Sequence, residues 1–178
     1  MMRGVLAGWA VLLGKHSGQD EVVVGIPYAN REHPLTHDIV GYFVNTLAVR
    51  VGTSGSVSFG EVLEAVDGAV SGAMSHAELP FVKVVEAVSP ERDTSRTPIF
   101  QTMLTWDDVM PSVNTEISIS LIETNASDLL QGHIDYNTDL YDERTIDAMA
   151  RRFQLLLERV VESSDIPLRD VSVLSEAE

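Results

Sequence analysis

The chain has no cysteine, few aromatic residues (6%) and only 12 basic residues against 27 acidic ones. The first absence excludes disulfides, thiolate nucleophiles and thiolate zinc sites, and it suits a reducing compartment such as the cytoplasm. The shortage of basic residues leaves a formal charge of −15, which repels phosphate backbones and anionic bilayers at long range. Neither nucleic acid nor a membrane is an expected partner. No apolar run approaches the roughly 20 residues needed to cross a bilayer.

Several chemistries lack their motifs. No serine carries the flanking glycines of the hydrolase elbow. Gly8 and Gly14-Lys15 outline a phosphate-binding loop, but five residues separate the glycines where that loop has four, and Trp9-Ala10-Val11-Leu12-Leu13 reads as helix. His33 and His37 would share a helical face as metal ligands, yet Pro34 between them argues for a surface loop. His16 falls at a helix end, where an imidazolium would complement the dipole, and His133 on the polar face of a strand. No catalytic residue and no metal site is expected.

What is present is enough apolar sequence, 44% of 178 residues, for one core and one globular unit. Arg3 and the apolar residues 4–14 have the outline of a signal peptide, but no small-x-small cleavage site follows. Val5, Leu6, Trp9, Leu12 and Leu13 instead repeat with helical spacing, predicting an amphipathic helix that ends near Gly14 and Gly18. The β-branched run 21–26 predicts a buried strand closed by Pro27. A polar connection over 28–38 follows. Residues 45–51 alternate, with Leu47, Val49 and Val51 on one face, and stop at a turn over 52–56.

Ser58 and Glu61 make a capping box for a helix whose apolar face is Phe59, Val62, Leu63, Val66 and Val70. A shorter helix starts at Pro80, with Phe81, Val84, Val85 and Val88 facing inward. Strands are expected over 99–106, 116–122 and 130–137. A last helix, 142–162, carries the stripe Ile146, Met149, Phe153, Leu156, Leu157 and Val160. Residues 163–178 read as a docked tail or linker around Pro167. This order implies an α/β fold, a mixed-sheet two-layer sandwich with helices packed on one side of the sheet.

Three runs are more specific: Ile39-Val40-Gly41-Tyr42-Phe43-Val44-Asn45-Thr46-Leu47-Ala48-Val49-Arg50, then His76-Ala77-Glu78-Leu79-Pro80-Phe81, then Arg92-Asp93-Thr94-Ser95-Arg96-Thr97-Pro98. They resemble three consecutive motifs of condensation domains of nonribosomal peptide synthetases. The stretch 19–27 with Asn30 and Arg31, and the stretch 132–142, are similar to flanking parts of that family. Residues 167–178 are similar to its connector into an adenylation domain. Val82 departs from the family, which more often has Glu after Pro-Phe.

By resemblance the fold is one lobe of the two-lobed, chloramphenicol-acetyltransferase-like architecture. The family's catalytic signature, a His-His run followed by three variable residues and Asp-Gly, precedes these motifs in a full-length domain and is absent here. The resemblance therefore implies a C-terminal lobe over 1–162, with 163–178 leading toward an adenylation domain. Alone, it is expected to form no amide bonds. Implied partners are the N-terminal lobe, peptidyl carrier proteins and the adjoining adenylation domain; phosphopantetheine comes on the carriers, and no cofactor is bound directly. Residues 28–41 would floor the active site, and part of 107–130 would reach across to the first lobe.

Tyr42, Asn45, Asp93 and Arg96 match motif positions that line the tunnel or support the site. Read from the residues themselves, Tyr42 and Phe43 are core, Asn45 fixes a turn, and Arg92, Asp93 and Arg96 form a buried or half-buried ion-pair network that fixes a loop. The isolated lobe is also expected to self-associate through apolar surface. Two other readings remain: a stand-alone module that docks carrier proteins or tailoring enzymes, and a small acyltransferase using a residue such as His76.

Overall fold

The computed structural model describes residues 1–31, 33–88, 96–106, 115–124 and 129–174. Helix α1 is Met2–Ser17, followed by strands β1 (Glu21–Tyr28) and β2 (Asn45–Gly52), helices α2 (Phe59–Met74) and α3 (Phe81–Val88), strands β3 (Thr102–Trp106), β4 (Ile117–Thr124) and β5 (Leu129–Tyr136), and helix α4 (Glu143–Glu162). Single turns of 3₁₀-helix occur at Pro34–Thr36 and Leu168–Asp170. The five strands form one sheet in the order β2-β1-β3-β4-β5. The outer pairs, β1 with β2 and β4 with β5, are antiparallel, while β1–β3 and β3–β4 are parallel. The expected mixed α/β sandwich is the fold observed.

Strand alternation decides the core. Val22, Val24 and Ile26 of β1 pair with Val51, Val49 and Leu47 of β2, and all six are buried on the face covered by α1, α2 and α4. Ser58 and Glu61 cap α2 reciprocally, and Asp142 caps α4 by accepting from the Thr145 amide at 2.9 Å. Both carboxyls are held below their usual range. For Glu61 the main cause is the Ser58 amide, and for Asp142 it is the Thr145 amide.

Helix α1 is not amphipathic in the folded chain. Every residue from Val5 to Leu12 is buried, because the helix runs between the sheet, α2 and α4. Ala7, Gly8 and Ala10 make this possible: their small side chains let neighbouring elements approach sides of the helix that would otherwise face water. Trp9 lies at the centre. Its indole N–H donates to Thr102 Oγ1 at 3.0 Å, and its ring meets Phe153 edge-on at 5.4 Å.

The opposite sheet face is covered by an aromatic pair that periodicity did not reveal. Phe100 lies on Gly25 so closely that a Cβ there would sit 2.5 Å from the ring, and Phe81 packs on Phe100 at 5.3 Å. Phe100 reaches this position through a turn in which its amide donates to Pro98 O at 3.0 Å, with Ile99 at φ +74°. A β-branched residue is strained in that region. Leu63, placed on the inner face of α2 by its spacing, is exposed instead, and so is Val88 of α3.

After α4 the chain stays on the domain. Leu168 is buried; its amide donates to Val57 O and that of Arg169 to Gly55 O.

Candidate functional site

The connection between β1 and β2 buries none of the residues in its single helical turn, so apolar packing cannot hold it. Arg31 does so with polar contacts. Its Nη1 donates to the carbonyls of Thr36 and Ile39, the latter at 3.0 Å, and its Nη2 donates to Gly41 O at 2.9 Å. The guanidinium also lies over the Phe43 ring, 4.3 Å from the centroid. A planar fork can serve several carbonyls and stack at the same time.

The two histidines of this segment are spent on the same turn. His33 Nδ1 accepts from the Leu35 amide at 3.2 Å, and His37 Nε2 donates to Arg31 O at 2.9 Å. The loop, held by these bonds, also presents apolar side chains outward. Leu35, Ile39, Val40 and Tyr42 are all exposed, Tyr42 to 65%. Tyr42 is therefore not core in this chain, contrary to the reading from its aromatic character; Phe43, half-buried beneath Arg31, is closer to that expectation.

Asn45, at the first position of β2, fixes a turn 32 residues away rather than its own. Its Nδ2 donates to Ala77 O and Leu79 O, both at 2.8 Å, and its Oδ1 accepts from the Phe81 amide at 3.1 Å. The amide thus satisfies an otherwise open N–H in the first turn of α3 and ties that helix to the loop carrying Tyr42. Leu79 and Val82 are exposed beside this junction. His76, the residue considered for acyl transfer, uses Nδ1 toward Gly72 O at 2.9 Å at the end of α2.

Arg96 stands elsewhere, before β3. It pairs with Glu116 at 3.7 Å, an ionic contact too long for a hydrogen bond. The Glu116 side chain is 15% exposed and that of Arg96 63%, so only the acid is buried. Tyr141 donates to the other carboxylate oxygen at 3.3 Å, and burial together with the Glu116 charge raises its pKa. These groups line a cavity of about 540 Å³ with His16, Gln101 and Met149. None of its lining residues belongs to the loop over 33–43. Asp93 lies outside the described residues, as does Arg92, so the expected network is seen only through Arg96.

The sequence-predicted residues therefore divide. Tyr42 and Asn45 share one site with Arg31, while Arg96 belongs to a second cluster with Glu116 and Tyr141. Of the segment expected to cross to another lobe, 117–124 is a regular strand within this sheet, paired with β5 throughout and with β3 over 117–121; residues 107–114 and 125–128 lie outside the described part. No helix among the described residues is long and apolar enough to span a membrane.

Comparison with known proteins decides the family. Residues 3–117 match the family described as Condensation domain. The chain belongs to this family. Tyrocidine synthase 3 of Brevibacillus parabrevis is 38% identical over an alignment of 190 positions, gaps included, that covers 98% of this chain and 3% of that protein. A four-domain nonribosomal peptide synthetase, crystallised with AMP and glycine bound, superposes with a TM-score of 0.90 at 23% identity, covering 98% of this chain and 16% of that one. The first condensation domain of the CDA synthetase superposes at 0.80 with 21% identity, and this chain covers 42% of it. The chain spans between 2% and 5% of the length of the curated relatives it matches.

Proposed function

We propose that this chain is the C-terminal lobe of a peptide synthetase condensation domain. In this reading it contributes wall and carrier-docking surface for amide bond formation between carrier-bound aminoacyl and peptidyl thioesters. The observation that carries the reading is the Arg31-held loop: its order comes from hydrogen bonds rather than an apolar core, and Leu35, Ile39, Val40 and Tyr42 face out beside the exposed start of α3. Such a surface suits burial against a second lobe. The absence of the His-His-x-x-x-Asp-Gly run from these 178 residues and the 42% coverage of a condensation domain point the same way.

The chemistry then divides between the lobes. Holding an amine and a thioester together on two carriers supplies much of the acceleration. The histidine of the other lobe handles the amine proton. Phosphopantetheine arrives on the carriers, and residues 163–178 lead toward an adenylation domain. Without its partner the lobe uses the same apolar face to self-associate.

The test is reconstitution. Mixed with loaded donor and acceptor carriers, the chain alone is expected to give no dipeptidyl product, and product is expected once a histidine-bearing first lobe is added. Product from the chain alone would overturn the assignment of chemistry to the other lobe. Failure of any first lobe to bind, combined with tight binding of a loaded carrier by the chain alone, would favour a self-sufficient docking module.

A further inference from the structure

We infer that Arg31 is a positioning residue whose task is to fix Tyr42 on the outward face of this lobe; its link to turnover rests on the reading of that face given above. The geometry is specific to one side chain. Arg31 binds the carbonyl of Gly41, the residue before Tyr42, and stacks on the ring of Phe43, the residue after it. Tyr42 is thus held on both flanks while its own ring stays 65% exposed. The remaining bonds, to Thr36 O and Ile39 O, close the loop behind it.

The helical turn has bonds of its own, from the Thr36 amide and hydroxyl to His33 O and from the Ile39 amide to Thr36 O, but they stop short of Gly41 and Tyr42. None of the residues in its helical turn is buried, and its histidines each fix a single contact: His33 to the Leu35 amide and His37 to the Arg31 carbonyl itself. An apolar loop surface kept in one conformation without an apolar core must draw its order from directional bonds; local ones within 31–39 close the helical turn, and the one that reaches Gly41, beside Tyr42, comes from the Arg31 guanidinium. Lysine cannot replace it. An ammonium is a compact charge that cannot serve carbonyls in several directions while lying flat on a ring.

Because the loop's order comes from Arg31 and the domain's stability from the core beneath α1, the two separate on mutation. In the chain alone, backbone order parameters measured by NMR should be near 0.85 for Gly41 and Tyr42 and fall below about 0.6 in Arg31→Ala, with Val24 and Leu104 unchanged. Arg31→Lys should loosen the loop as well. Methylguanidinium at millimolar concentration should restore order to Arg31→Ala, which has a vacant site, and not to Arg31→Lys. Unchanged order parameters in both variants would overturn the inference. If Arg31→Ala does not fold, Arg31→Lys carries the measurement.

In the reconstituted domain, Arg31→Ala should lower kcat/KM for amide formation at least tenfold with an unchanged melting temperature. Tyr42→Ala should produce a similar loss, and the double variant should be no worse than the worse single one, because the arginine acts through the tyrosine. Additive losses, or a loosened loop with full turnover, would remove the positioning role. A wild-type reconstituted domain without activity would count against the lobe assignment, while the order parameters would still decide what Arg31 does to the loop.

Discussion

The ground under α1 and the loop over 33–43 are both well defined, and they are built in opposite ways. Around Trp9, order comes from apolar burial on every side, with one hydrogen bond that joins the buried indole N–H to the Thr102 hydroxyl. In the loop, order comes from hydrogen bonds to carbonyls, and apolar side chains face out. Burial is non-directional and holds a fold whatever its surroundings. Directional bonds can instead hold a surface that is not yet buried. A region whose internal contacts are polar and whose exterior is apolar is organised for something outside the chain, and a region packed like the α1 layer is organised for the chain itself.

The sharpest way to break this contrast is to truncate one aromatic from each region. Trp9→Ala should cost about 3–5 kcal/mol, since it empties a central site and orphans the Thr102 hydroxyl. Tyr42→Ala should change stability by no more than about 0.5 kcal/mol. Denaturant unfolding of the two variants checks both, and similar losses would mean that Tyr42 is packed after all.

Asn45 joins the loop to α3, so its amide orientation matters. Asn45→Asp keeps the acceptor for the Phe81 amide but places a carboxylate against the carbonyls of Ala77 and Leu79. A loss of about 1–3 kcal/mol is expected, with the start of α3 freed first in hydrogen exchange. Protection lost evenly across the domain would show that the contact belongs to the core region.

Arg96 tests the boundary between the regions. A buried pair would lose roughly 3–5 kcal/mol when one partner is removed. Here the guanidinium is largely in water and Glu116 keeps its Tyr141 contact, so Arg96→Ala should cost about 1 kcal/mol or less, and less still at high salt. A melting temperature lowered as far as by Trp9→Ala would contradict this.

The smallest effect should come from acid. Glu61 and Asp142 have folded pKa values below their unfolded ones, so the stability they lend is present above the usual carboxylate range and is lost as pH falls through it. Removing them, as Glu61→Gln and Asp142→Ala, should flatten the decline in melting temperature below about pH 4.5. An unchanged slope would show that other carboxylates govern the acid limb.

Much of this was legible along the chain, and the cases differ for physical reasons. The capping box at Ser58 and Glu61 and the alternation of Leu47, Val49 and Val51 are local signals, and each marks an element at its observed place. The surroundings of α1 were misread because a helix in contact on all sides needs small residues at 7, 8 and 10, and these weaken no pattern that identifies a surface helix. Leu63 sits at the margin of its stripe and the neighbouring elements do not reach it. Tyr42 was misread because aromatic character indicates burial on average, but not whether the covering surface lies within the same chain.

The sequence by itself determined the family, through three spaced motifs, and the class of fold, through the order of its periodicities. Both depend on which residues follow which. Only the tertiary structure decided that β3 pairs in parallel with both neighbours, that Phe100 covers Gly25, that Asn45 gathers main-chain carbonyls from a distant segment and that Arg31 gathers those of its own loop. A carbonyl has no side-chain identity to read, and its partner is chosen by where the folded backbone carries it. The residues that organise the candidate site are bonded to such groups, so their roles appear only once the chain is folded.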